Sequence, residues 1–275
     1  MINAKPTDAA TVMILKPSQD AGVTDIEVLL VLRNRKSSFV PGYYVFPGGS
    51  LDAEDFEPGM ERFVRGIDRT GAARMLSDMS QPEKALGAWV AGIRETFEEV
   101  GLLIACRRDG TPVMLRTDEE QKRFEQYRRA LTTGELKFSQ MLETEKLILP
   151  ADGLHYFSHW ITPEPFPQRY DVRFFLAAAP AGQSVACDGV ELTNYVWMRP
   201  SAALKQYESG GIEMVLPQIM TLEELSRFQT IEGALAFART RHVPTVLTRI
   251  ENIDGKAVEV MPDGTVFNIR PPVYP

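Results

Sequence analysis

The sequence predicts an α/β protein of the α+β kind: a mixed β-sheet sandwiched between helices, with helical insertions and a C-terminal extension of helices and a β-hairpin. Three observations carry this. Short apolar, β-branched runs at 11–15, 26–33, 155–161 and 172–179 have the length and composition of strands. A long amphipathic pattern covers 81–100, where Leu86, Val90, Ile93, Phe97 and Val100 fall within about 40° of one another on a helical wheel. Strands and helices are mixed along the chain, in the order expected of a sheet covered by helical layers.

Each element has a local cause. Residues 11–15 and 26–33 are strands joined by a polar, Gly-containing loop. Pro41 and Gly42 turn the chain into a short strand at 44–46. Residues 52–80 form an insertion, with helices expected near 60–67 and 72–79. Ser80 and Glu83 suggest a capping box for the long helix, Pro82 suits its first turn, and Gly101 is a natural C-terminal cap. A strand is expected at 102–106. Thr117 and Glu120 open a capped helix to about 130, and another amphipathic helix covers 136–147. Strands follow at 155–161, 172–179 and 195–198, then helices at 201–207, 221–228 and 231–239. Asp254-Gly255 joins strands 245–252 and 257–261 as a hairpin. We expect one domain over 8–211, with the insertion at about 56–80. Residues 212–275 would pack on it or on a partner in a possible homodimer.

Bulk properties narrow the function. Hydrophobic residues make up 44% and charged residues 24%, ordinary for a globular chain of 275 residues that can bury a sizeable core. The net charge of −7 gives no basic footprint for nucleic acid. The only two cysteines, Cys106 and Cys187, imply neither a disulfide framework nor a cysteine metal site, and fit a reducing compartment. The N-terminus lacks the apolar core of a signal peptide and no run is long enough to span a bilayer. Residues 272–275 carry no peroxisomal tripeptide. A cytoplasmic protein without a membrane partner is expected.

The segment Arg94-Glu95-Thr96-Phe97-Glu98-Glu99-Val100-Gly101-Leu102 carries the chemistry. With Leu86 at zero, Glu98, Glu95 and Glu99 fall at roughly 120°, 180° and 220° on the wheel, opposite the apolar stripe. Three crowded carboxylates repel one another, and a hard divalent cation removes that penalty. A solvated acidic face is the plain alternative. Upstream, Phe46-Pro47-Gly48-Gly49-Ser50 reads as a strand end and a glycine turn, where backbone can approach a ligand closely. A glycine turn beside an acid-rich helix suits a metal–phosphate site.

These residues resemble the Nudix hydrolase signature. Gly49 opens it, Asp55 stands where Glu is usual, and Arg94, Glu95, Glu98, Glu99, Gly101 and Leu102 match its second half, with Thr96 in an aliphatic position. Residues 56–93 replace a short spacer. A split of this kind is similar to the long Nudix branch related to peroxisomal coenzyme A diphosphatases. Leu29-Leu30-Val31-Leu32-Arg33, Gly42 and Phe46-Pro47-Gly48-Gly49 resemble the coenzyme A-directed upstream pattern, with Val31 for Thr and Ser38 where a second Arg belongs. Arg35 and Lys36 lie close to that position. Trp160-Ile161-Thr162-Pro163 and 169–176 also look like this branch, so the resemblance covers roughly residues 10–230.

The resemblance implies a Nudix-type fold binding Mg²⁺ or Mn²⁺ through Glu95, Glu98, Glu99 and the Gly48 carbonyl. Arg94 would orient a catalytic Glu, although an intrahelical pair with Glu98 is compatible. The general base would be Glu95 or Glu191, which precedes a late strand and is otherwise a plain loop acid. Arg33, Arg35, Gly49 and Arg173 are candidate substrate contacts, with solvation the alternative for Arg173. Tyr43, Tyr44 and Phe46 are candidates for stacking on adenine or for core. His155 and His159 read as structural. The implied substrate is a nucleoside diphosphate-linked compound, coenzyme A or acyl-coenzyme A foremost. An ADP-ribose, dinucleotide or nucleotide-sugar pyrophosphatase is the alternative, and a catalytically silent nucleotide-sensing domain is the alternative of another class.

Overall fold

The computed structural model describes residues 4–18, 25–164 and 166–269. The first half of the chain holds β1 (Thr7–Pro17), β2 (Ile26–Arg33), β3 (Tyr44–Val45), β4 (Gly48–Ser50), β5 (Val64–Arg65), α1 (Arg69–Met75), α2 (Pro82–Val100), β6 (Cys106–Arg107) and α3 (Asp118–Thr132). The second half holds α4 (Phe138–Glu145), β7 (Leu147–Pro150), β8 (His155–Ile161), β9 (Tyr170–Ala178), β10 (Leu192–Met198), α5 (Pro200–Glu208), α6 (Leu216–Leu225), α7 (Ile231–Thr240), β11 (Thr245–Leu247), β12 (Arg249–Ile253), β13 (Lys256–Val260) and β14 (Val266–Asn268). Residues 19–24, expected as a loop, and residues 272–275 lie outside the described residues.

The central sheet runs β10-β2-β1-β9-β8-β11, with β3 added on β2 and β4 on β1. It is mixed: β1 is antiparallel to β2 and β4 but parallel to β9, and β11 is parallel to β8. Alternation along β1 divides its side chains between two cores. Ala10, Val12 and Ile14 pack toward α2, and Met13 and Leu15 pack toward the layer of α5, α6 and α7. The sheet is therefore a filling between two helical layers. Residues 212–269 belong to the second layer: Ile212, Leu216, Ile219, Leu222, Ala234 and Ala238 are all in its core. Among the described residues no helix is long and apolar enough to cross a membrane.

Several elements differ from the expectation, each for a local reason. Residues 102–105 form no strand, because the Gln183 side chain pairs with both backbone groups of Leu103, at 2.8 and 2.9 Å. The insertion has a 3₁₀ turn at Met60–Phe63 and β5 where one helix was expected. Its helix α1 starts earlier, capped by Asp68. The Ser80 capping box is absent: Gln81 is the N-cap of α2, and Glu83 pairs with Arg69 at 3.1 Å. Helix α4 stops at Glu145, Lys146 turns at φ 55, and the alternating burial of Leu147 and Leu149 makes β7. The expected strand 245–252 breaks at Thr248, which is buried and donates to Glu259. Its first part joins the central sheet and its second part makes the hairpin, turning at Asp254 (φ 52) and Gly255 (φ 78).

Candidate active site

Helix α2 places the acids. It is buried along most of its length, so the face opposite its apolar stripe meets protein instead of water. That face packs on β4, and Glu99 is only 6% exposed. This sets aside, for Glu99, the plain alternative of a solvated acidic face. Gly101 closes the helix at φ 72. Thr11 Oγ1 donates to the Pro47 carbonyl at 2.6 Å and pins the turn before β4 against β1.

The two halves of the split motif meet. The Gly48 amide donates to Glu99 Oε2 at 2.7 Å. A Cβ at position 49 would lie 2.6 Å from the Glu95 carboxyl, so a larger residue there would displace that carboxyl. Asp55 reaches Arg94 across the insertion with two bonds, Nε–Oδ1 at 2.8 Å and Nη2–Oδ2 at 2.9 Å. Arg94 also donates to Glu95 at 3.0 Å, to Glu98 at 3.3 Å and to the Ser50 carbonyl at 3.1 Å. One buried guanidinium thus fixes three carboxylates and β4 in a planar fork.

Charge remains uncompensated. Burial pushes the Glu95 carboxyl up to about 7 despite the adjacent Arg94. Burial and the Glu95 charge hold Glu99 well above the ordinary carboxylate range, against the pull of the Gly48 amide. Burial also raises Glu98. Hard oxygen donors in this condition fit a divalent cation.

Glu95 and Glu99, but not Glu98, line a cavity of about 600 Å³. Gly48, Gly49 and Glu191 also line it, as do Arg33 and Lys36. Glu191 also lies close enough to raise the Glu99 carboxyl.

A family profile described as the NUDT19 Nudix domain matches residues 83–227, more than half of the chain. The chain belongs to the Nudix family. Over 82% of its length it is 28% identical to the acyl-coenzyme A diphosphatase NUDT19 of Xenopus laevis, and it is 26% identical to the human protein of that name over a similar stretch. The chain spans 66% and 67% of those two relatives' lengths. A Nudix hydrolase structure from Alicyclobacillus acidocaldarius superposes with a TM-score of 0.68 at 27% identity, covering 85% of this chain and 96% of that one. The mixed sheet between helical layers is thus a Nudix fold.

Not every expected Nudix contact reaches the cavity. Arg35 is exposed and does not line it, whereas Lys36 and Ser38 do. Arg33 lines it but is engaged, donating to the Phe39 carbonyl at 3.1 Å and to Ser37 at 2.9 Å. It shapes the loop in which Val40, a β-branched residue, takes φ 42. Arg173 is neither solvated nor in the cavity. It is 1% exposed and ion-paired with Asp8, Asp78 and Asp171. Asp78, His159 and Asp171 have ligand atoms within 4.8 Å of one another, and the Arg173 guanidinium is already paired with both carboxylates. Tyr43 is core, and Phe46 lines the cavity against Phe174 at 6.3 Å.

Sequence reading missed Arg128. It is 5% exposed and donates to the Glu98 carbonyl at 2.7 Å and the Glu99 carbonyl at 2.8 Å, capping the C-terminal end of α2. The spacing of Phe124, Arg128 and Leu131 puts this arginine on the apolar face of α3, which was the available signal.

Proposed function

We propose that this Nudix protein is a divalent-metal-dependent hydrolase that cleaves the diphosphate of coenzyme A or acyl-coenzyme A. The products are 3′,5′-ADP and a 4′-phosphopantetheine. The observation that carries the proposal is the joining of the Gly48–Gly49 turn, Asp55 and the Arg94–Glu99 segment, with Gly48, Gly49, Glu95 and Glu99 lining the cavity. The printed activity of the NUDT19 relatives supports the substrate.

In this reading Glu95, Glu98, Glu99 and the Gly48 carbonyl would hold Mg²⁺ or Mn²⁺. The ion, when bound, offsets phosphate charge and lowers the pKa of a water. Arg94 keeps Glu95 oriented, and Asp55 keeps Arg94 oriented. Glu95, whose carboxyl burial pushes up to about 7, would in its ionised form take the proton from the attacking water, and Glu191, which lines the same cavity, is the second candidate base. Arg33 and Lys36 meet the 3′-phosphate that distinguishes coenzyme A from plain ADP conjugates. The domain spans 8–211 in this proposal with the extension from 212 packed on it, and a reducing, cytoplasmic setting fits the two unpaired cysteines.

A screen of coenzyme A, acyl-coenzyme A, ADP-ribose, dinucleotides and nucleotide sugars with Mg²⁺ and with Mn²⁺ tests the proposal. Coenzyme A compounds should give the highest kcat/KM. Preference for ADP-ribose would replace the substrate, and no turnover by folded, metal-supplied protein would point to a silent sensor.

A further inference from the structure

Part of the cavity lining has a different chemistry from the acids. Phe46, Val172, Phe174 and Val215 give it an apolar wall. Two buried polar atoms on this wall have no hydrogen-bond partner among the described residues: the Trp160 indole Nε1 and the Gln218 amide Oε1. Trp160 is 6% exposed and Gln218 8%, and both line the cavity. Buried polar groups are nearly always bonded, so two unpaired ones on one wall point to a ligand. The indole can only donate, and the Gln218 oxygen can only accept. Their complement is a group with one carbonyl oxygen and one N–H in apolar surroundings, which describes a secondary amide.

Register gives the distance. Trp160 stands opposite Val172, Val172 opposite Ala9, and Ala9 opposite Ser50 beside Gly49. Three strand spacings separate them, roughly 14 Å. The basic residues Arg33 and Lys36 belong to the segment 33–36 at the end of β2 and beyond, and β2 lies on the other side of β1 from the strands of Val172 and Trp160. The two ends of a substrate anchored at its diphosphate would therefore go different ways.

We propose that Trp160 and Gln218 bind the amide-bearing pantetheine arm of the substrate. This rests on the coenzyme A reading above, since that arm carries two secondary amides in an otherwise aliphatic chain. Trp160 Nε1–H donates to an arm carbonyl and Gln218 Oε1 accepts from an arm N–H. Specificity for the arm thus comes partly from residue 218, outside the catalytic motif.

The test is calorimetric binding of 4′-phosphopantetheine and of 3′,5′-ADP, each with Mg²⁺, to wild type, Gln218→Leu and Trp160→Phe. Each variant should bind 4′-phosphopantetheine about 10-fold more weakly and 3′,5′-ADP unchanged. Equal weakening of both ligands would mean that the adenosine half is read here, and weakening of neither would mean that the wall reads no ligand; either overturns the inference. Gln218→Leu should keep or raise the thermal midpoint of the free protein, because it removes an unpaired buried carbonyl. A clear fall would make Gln218 a structural residue and overturn it too. Turnover of coenzyme A by wild type is measured alongside. Turnover with arm affinity unchanged in the variants sinks only this inference, whereas absent turnover sinks the substrate reading by itself.

Discussion

Asp55 and Arg94, 39 positions apart, form a two-point ion pair at 2.8 and 2.9 Å in which the carboxylate is 1% exposed. The pair closes the insertion and aims Arg94 at Glu95 and Glu98. Asp55 also accepts the Asp52 amide at 2.8 Å, so the short acid is braced from both sides. An aspartate serves where glutamate is usual because the Asp52–Phe56 turn brings its backbone close to α2.

Asp55→Asn should therefore cost both stability and activity. It leaves a buried guanidinium short of its counter-charge, a loss of about 3–5 kcal/mol. Urea unfolding with coenzyme A turnover checks this. Unchanged stability would mean that Glu95 and Glu98 suffice to hold Arg94.

Glu99→Gln and Glu98→Gln should each lower kcat by at least about 100-fold at saturating metal, because each removes a ligand charge facing the phosphates. Glu99→Gln should fold at least as stably as wild type without metal, since the amide still accepts from Gly48 and a buried charge is gone. Near-normal turnover in either variant would remove α2 from the metal site.

Metal and pH should act on stability together. Glu95 and Glu99 titrate higher in the folded chain than unfolded, where a carboxyl sits near its usual range. The folded state holds their protons more tightly, so their contribution is full below the unfolded value and is lost as pH rises toward 7 and beyond. In the proposed site Mg²⁺ would take the place of those protons. Calorimetric scans should show a larger rise in Tm with Mg²⁺ at pH 8 than at pH 5.5, and equal rises would contradict this account of the site.

Arg128→Leu should destabilise by about 2–4 kcal/mol in urea, because it strips the Glu98 and Glu99 carbonyls of buried charged donors. Activity should fall further than the unfolded fraction explains, since those carbonyls belong to the proposed metal ligands.

Lys36→Ala should lower kcat/KM for coenzyme A about 10-fold and leave dephospho-coenzyme A nearly unaffected. Arg33→Ala is a poorer probe, because Arg33 also holds the loop through Phe39 and Ser37. Equal losses on both substrates would mean that Lys36 does not contact the 3′-phosphate.

Much of this was legible in the chain. The apolar stripe of α2, the Thr117–Glu120 cap of α3 and the Asp254-Gly255 hairpin are local patterns, and local patterns survive folding. What escaped was set by tertiary partners. Gln183 replaces a strand partner at Leu103, and Asp8, Asp78 and Asp171 draw Arg173 away from the cavity. The wheel placed Glu99 opposite the core but could not reveal that β4 covers it. Arg35 and Lys36 differ by one position, and only the path of the loop decides which of them lines the cavity.

The most direct test is product identification. Wild-type protein is incubated with coenzyme A and Mg²⁺ or Mn²⁺, and the products are read by mass spectrometry, with a chelator and Glu99→Gln as controls. The account predicts 3′,5′-ADP and 4′-phosphopantetheine in equal amounts, absent in both controls. Undiminished product with the chelator or in Glu99→Gln, or no cleavage of coenzyme A by folded wild type with either metal, would contradict it.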